Sequence, residues 1–124
     1  MDYSFEVRQR FAAPARAGTI SPAVGGVVEG AAEDRSLRFW VRFQVQLVGT
    51  TIECVRFQAV GCPHAIAAAD LIADDLIGQP VAALIQLNLE DIARRLELPR
   101  SKFGKLLRIE DALSVCHRAA IAKD

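Results

Sequence analysis

The sequence lacks a charge imbalance: 15 basic residues face 15 acidic ones. Surfaces that bind nucleic acid or anionic membranes carry a basic excess, so neither partner is expected. No run of about 18 apolar residues occurs, so no membrane-spanning helix is expected. Met1 to Arg8 is a charged stretch without the apolar segment of a secretory signal. Cysteine is sparse: Cys54, Cys62 and Cys116 are odd in number, far apart and without a Cys-x-x-Cys. That pattern speaks against a disulfide framework and for a reducing compartment, so a cytoplasmic location is expected. There is no Walker loop, no G-x-G-x-x-G and no defensible Ser/His/Asp order, and no enzyme with its own turnover is expected. Repeats and low-complexity tracts are absent.

What is present suffices for one core. The chain has 124 residues, 52% of them hydrophobic, and reads as one domain over 1–124. Tyr3, Val7 and Phe11, at spacing four, predict a short helix capped by Ser4 or Asp2. Residues 12–34 are punctuated by glycine and proline and predict a mobile loop, with a strand in the 19–29 region able to complete a sheet. Leu37, Phe39, Val41, Phe43 and Val45 alternate with Arg38, Arg42, Gln44 and Gln46, a strand over 36–47 with one wet face. Val48-Gly49-Thr50 turns the chain, and Thr51 to Val60 returns as a second strand. Helices follow over 63–77, after Pro80, after the cap Asn88, and over about 101–122. Asp70, Asp74 and Asp75 read as a solvated acidic edge of the first of these. The fold class is α+β, a small antiparallel sheet of about three strands with helices packed on one face.

The chemistry concentrates where strand meets helix. Gly61 permits a tight turn, Cys62 takes the helix N-cap and Pro63 the first helical position. A thiol there faces free N–H groups and the positive end of the helix dipole, which favour the thiolate that binds metals and attacks sulfur. The plainer reading, a small buried cysteine, stands beside it. His64 reads as a second metal ligand or as a solvated residue of the first turn. Cys54 has the opposite parity to Val55 and Phe57 and reads as structural. Cys116 falls on the apolar stripe of the last helix, and its neighbour His117 reads as exposed.

These residues carry a resemblance. Tyr3-Ser4 with Val7, Phe11, Pro14 and Gly18 is similar to the N-terminal pattern of the U-type iron–sulfur cluster assembly scaffolds, IscU and the N-terminal domain of NifU. Ile52-Glu53-Cys54-Val55-Arg56-Phe57 resembles their Ile-Glu-Asp-Ala-Arg-Phe strand. Gly61-Cys62 with Ala65-Ile66-Ala67 resembles their Gly-Cys-Gly-Ser-Ala-Ile-Ala turn and helix. Asp91-Ile92-Ala93, Leu96-Glu97-Leu98-Pro99, Lys102 and Glu110-Asp111-Ala112-Leu113 follow in the same order.

The resemblance implies an IscU/NifU-N-like fold and a scaffold-like role. Iron, zinc, an iron–sulfur cluster or sulfur would be taken through Cys62, with His64 as a candidate ligand. It implies a cysteine desulfurase as partner. Leu98, Pro99 and Lys102 form a candidate partner-binding stretch, where an Hsp70-type chaperone would dock. The family uses three cysteines, an Asp and a His, and only the middle cysteine is kept. The first falls at Val24 (with Gly26 for the Asp) in one alignment, and at Ser36 or Leu37 in a nearly gapless one. The His-Cys pair becomes Gly104-Lys105. A cluster or structural zinc wants about four ligands, which a homodimer sharing Cys62 and His64 would supply. Lys105 beside Cys62 would favour the thiolate; otherwise it is a solvated helix lysine. Two roles stay open: a scaffold with unusual ligands, and a metal-free relative that accepts persulfide or regulates the desulfurase, with no bound cofactor.

Overall fold

A computed structural model describes residues 3–21 and 23–122. Ser4 caps α1 (Phe5–Ala12) by accepting the Val7 N–H at 3.2 Å, and its hydroxyl donates to the Leu96 carbonyl at 2.7 Å. The other expected cap, Asp2, lies outside the described residues. Val7 is buried and Tyr3 packs against the core, whereas Phe11 stays exposed.

Three strands form one antiparallel sheet in the order β1 (Val27–Asp34), β2 (Phe39–Val48), β3 (Thr51–Val60). The expected loop over 12–34 is thus a strand from Val27 onward, later than the 19–29 region. Gly30, Ala31 and Ala32 have little β-propensity of their own. Pairing with β2 along the whole strand and packing under a helix override that propensity. β2 begins at Phe39 because Arg38 is left-handed (φ 51°) and closes the turn after Asp34. A register shift opposite Gln46/Leu47 leaves Glu53 as an extra residue in β3. This bulge lets Ile52 and Val55 both face the core despite their odd spacing.

The chain before β1 covers the open side of the sheet. Phe57 N–H donates to the Arg16 carbonyl at 3.0 Å and Gly18 N–H to the Phe57 carbonyl at 2.8 Å, so residues 16–18 pair with the edge of β3. The strap then crosses the sheet, where Ile20 N–H donates to Gln44 Oε1 at 2.8 Å. Gln44, expected on a wet face, is buried by this crossing.

α2 (Pro63–Leu76) lies over β3, and α4 (Phe103–Ala122) lies over β1 and β2. Between them run a 3-10 turn (Val81–Ile85), α3 (Leu89–Leu96) and a second 3-10 turn (Arg100–Lys102) that delays α4 to Phe103. The core fills the space between sheet and helices with Phe43, Ile52, Leu71, Ile72, Leu106 and Ile109. The acidic edge of α2 is solvated at Asp74 and Asp75, as expected, but not at Asp70. Asp70 is 1% exposed and accepts from Arg10 Nη1 at 2.7 Å and from the Arg16 backbone N–H at 2.8 Å. Asp74 pairs with Arg16 at 2.8 Å and Asp75 with Arg95 at 2.6 Å. The edge is the seam that fastens α1, the strap and α3 to α2. Among the described residues no helix is long and apolar enough to cross a membrane.

Candidate functional site: the Cys62–Lys105 pair

β3 delivers the chain to Gly61, where a Cβ would come within 2.8 Å of the Phe39 ring, so only glycine fits under that ring without displacing it. Cys62 follows as the N-cap of α2 in an extended conformation, with Pro63 in the first turn. No backbone N–H closes a full capping bond on its sulfur, although the Ala65 amide is near enough to act on it. From across the core, α4 presents Lys105, which is 8% exposed. Its Nζ donates to Cys62 Sγ at 3.0 Å.

This contact sets the state of the thiol. Half-burial alone raises the Cys62 pKa by disfavouring charge. The Lys105 hydrogen bond, the Ala65 amide and the charges of Lys105 and Lys102 outweigh that, and the net value falls below that of an ordinary thiol. Cys116 is the contrast. It is buried on α4 with Sγ 3.8 Å from the Phe43 carbonyl oxygen, and burial pushes its pKa up to about 12. Cys54 is half-buried on the strand.

His64 is packed into the core rather than offered to a ligand. It is 1% exposed, and its ring packs on Tyr3 at a centroid distance of 4.7 Å. Neither ring nitrogen has a hydrogen-bond partner among the described residues. Burial, then the charges of Lys102 and Lys105, hold its pKa below the usual histidine value, so the ring is neutral near pH 7.

Of the residues around this pair, Leu37 and Gly104 were named by the family pattern and Phe39 was not. Leu37 Cδ1 lies 3.3 Å from where a Cβ on Gly104 would sit, and Phe39 lies against Gly61. Val24 instead lines a cavity of about 530 Å³ under the strap with Ile20, Glu29 and Gln44. Of the candidate positions for the first family cysteine, Leu37 thus lies beside Gly104, and Val24 lies under the strap.

These side chains do not fit a cluster or zinc ion held by one chain. Such a group wants about four thiolate, imidazole or carboxylate donors. Leu37, Phe39 and Gly104 offer none, and the Lys105 ammonium has no lone pair to give. Among the described residues no group of three or more His, Cys, Asp or Glu is placed to hold a metal. Leu98 and Pro99 line a separate cleft of about 460 Å³ with Glu90, Arg94 and Phe103. Lys102 does not line it; its charge acts on Cys62 and His64.

A labelling experiment reads the thiol directly. Iodoacetamide is expected to alkylate Cys62 with a pH midpoint below that of a free thiol, and to leave Cys116 unmodified until the protein unfolds. Lys105→Met should move the midpoint upward and slow Cys62 alkylation at pH 7 several-fold. Peptide mass spectrometry assigns the sites. Equal rates for the two proteins would show that Lys105 does not govern the thiol.

The chain as a whole is similar to known proteins. The family described as NifU-like N terminal domain matches residues 2–122. An "Iron sulfur cluster assembly protein 1" of Trachipleistophora hominis is 24% identical over 90% of this chain and 81% of its own length. An "Iron-sulfur cluster assembly protein IscU" of Plasmodium falciparum is 26% identical over 90% of this chain and 69% of its own. A putative iron-sulfur cluster assembly scaffold protein for the SUF system from Fervidobacterium islandicum shares the fold, with a TM-score of 0.74 at 18% identity. That match covers 93% of this chain and 96% of that one.

Proposed function

The chain belongs to the NifU-like N-terminal domain family, and from that premise we propose that it serves iron–sulfur cluster assembly by carrying sulfur on Cys62. The observation that carries the reading is the 3.0 Å contact between Lys105 Nζ and Cys62 Sγ. An ammonium at that distance favours the nucleophilic thiolate at a half-buried site without a metal.

The donor is a persulfide on a partner cysteine desulfurase. The Cys62 thiolate attacks the outer sulfur of that persulfide. A bond forms between Cys62 Sγ and the transferred sulfur, the donor's sulfur–sulfur bond breaks, and the donor cysteine leaves as thiolate. One sulfur changes hands, and no outside oxidant or reductant is needed. The product is again an anion at its terminal sulfur, and Lys105 is in place to balance it. The protein then acts as a carrier in a reducing compartment, loaded once per encounter. The resemblance also suggests the Leu98–Pro99 cleft as a chaperone-facing surface, outside the transfer step.

The test is incubation with a cysteine desulfurase and cysteine, followed by non-reducing intact-mass analysis. The expected result is a gain of one sulfur per chain, located at Cys62 and absent in Cys62→Ser. Iron retained with a charge-transfer spectrum, and no sulfur on Cys62, would overturn the carrier in favour of a scaffold.

A further inference from the structure

We infer that Lys105 is a specificity-determining residue: its ammonium occupies the coordination space of Cys62 and makes the pocket refuse divalent metal ions. The inference builds on the carrier reading only in assigning Cys62 as the working thiol.

Three observations carry it. Lys105 is nearly fully buried, yet the only acceptor its Nζ engages among the described residues is Cys62 Sγ, at 3.0 Å. A metal bound to that sulfur would lie about 2.3 Å from it, which places two positive centres in one small space. Lys102 adds a second positive charge acting on the same sulfur. Lys105 is also held by the fold. Its neighbour Leu106 is buried, and Leu37 packs against Gly104 on its other side. Because Lys105 itself is 8% exposed, its ammonium has little open solvent to withdraw into when a cation arrives. Repulsion at such range in a partly buried site far exceeds that in water.

Missing donors alone could explain a weak metal site, so the charge must be separated from the donor count. Leu37→Cys combined with Gly104→His adds two donors, one at the residue preceding Lys105 and one at the side chain packed on that residue. The pair is sterically matched, because shortening Leu37 clears the side chain that a Gly104 substituent would meet. This three-donor protein is compared with the same protein carrying Lys105→Leu, which removes the charge and adds no donor. Zinc affinity is measured by competition with a chromogenic chelator, and cobalt(II) absorption reports tetrahedral thiolate coordination.

Removing the charge should tighten zinc binding by at least about tenfold. The unmodified chain should bind no zinc through Cys62. Thermal melts check that each variant folds, and Lys105→Met serves as the alternative neutral residue. Equal affinity with and without the ammonium would overturn the inference. So would zinc bound by the unmodified chain, at one per chain or one per two chains, and lost in Cys62→Ser. Neither result depends on sulfur uptake, so the carrier reading stands or falls separately.

Discussion

Gly30→Val is expected to destabilise the protein by about 3 kcal/mol or more, the upper range for overpacking. A Cβ on Gly30 would lie 2.2 Å from the Ala112 carbonyl oxygen, 2.8 Å from the Cys116 amide nitrogen and 2.9 Å from Val115 Cβ. Two of these atoms belong to the backbone of α4, which cannot rotate aside as a side chain does. The helix must move as a body, and tight packing makes that costly. The relief from a less flexible unfolded chain is only about 0.4–1 kcal/mol. Lys105 lies two turns before Ala112 on α4, roughly 10 Å along the axis. A displaced α4 should therefore also loosen the contact with Cys62 and slow its alkylation. Urea unfolding and thiol labelling give the two readouts, and Gly30→Ala should fall between wild type and valine in both. An unchanged unfolding midpoint would mean that α4 does not sit this closely on β1.

Asp70→Ala should cost about 3 kcal/mol, the lower part of the range for breaking a buried ion pair. The Asp70 side chain is 2% exposed, whereas Arg10 is 19% exposed. One carboxylate serves two elements, accepting from the Arg10 guanidinium of α1 and from the Arg16 amide of the strap. Its loss strands the part-buried N–H of Arg16 and one bond of Arg10. Arg10 keeps Glu6 at 2.6 Å and Asp74 at 3.6 Å, which is why the loss stays at the lower end. Asp70→Asn retains an acceptor for the Arg16 amide and should cost about half as much. Hydrogen exchange should show α1 and residues 16–18 opening first, ahead of the sheet. A loss well below about 1 kcal/mol would refute the assignment of Asp70 as the fastener of this seam.

The sequence by itself determined the local elements and the place of the chemistry. Alternation from Phe39 to Val45 gave β2, because side chains on a strand switch faces at every residue. Gly61-Cys62-Pro63 marked the turn and the helix start, because cap and first-turn preferences are local. The family patterns spaced along the chain also fixed the α+β class. Their departures were visible as missing donors at Gly104, at Lys105 and, for the first cysteine, at Val24 in one alignment and at Ser36 or Leu37 in the other.

The remaining features arise from contacts between distant parts of the chain. β1 was hidden in a glycine- and alanine-rich stretch, because its stability comes from β2 and α4 rather than from propensity. Asp70 read as solvated, because its partners Arg10 and Arg16 are more than fifty residues away in the chain. His64 read as a possible ligand, and its burial against Tyr3 depends on where α1 docks. The contact that gives Cys62 its character spans 43 residues. Local sequence rules cannot report a charge that arrives from another helix, and it is the packing of α4 on the sheet that brings Lys105 to the thiol.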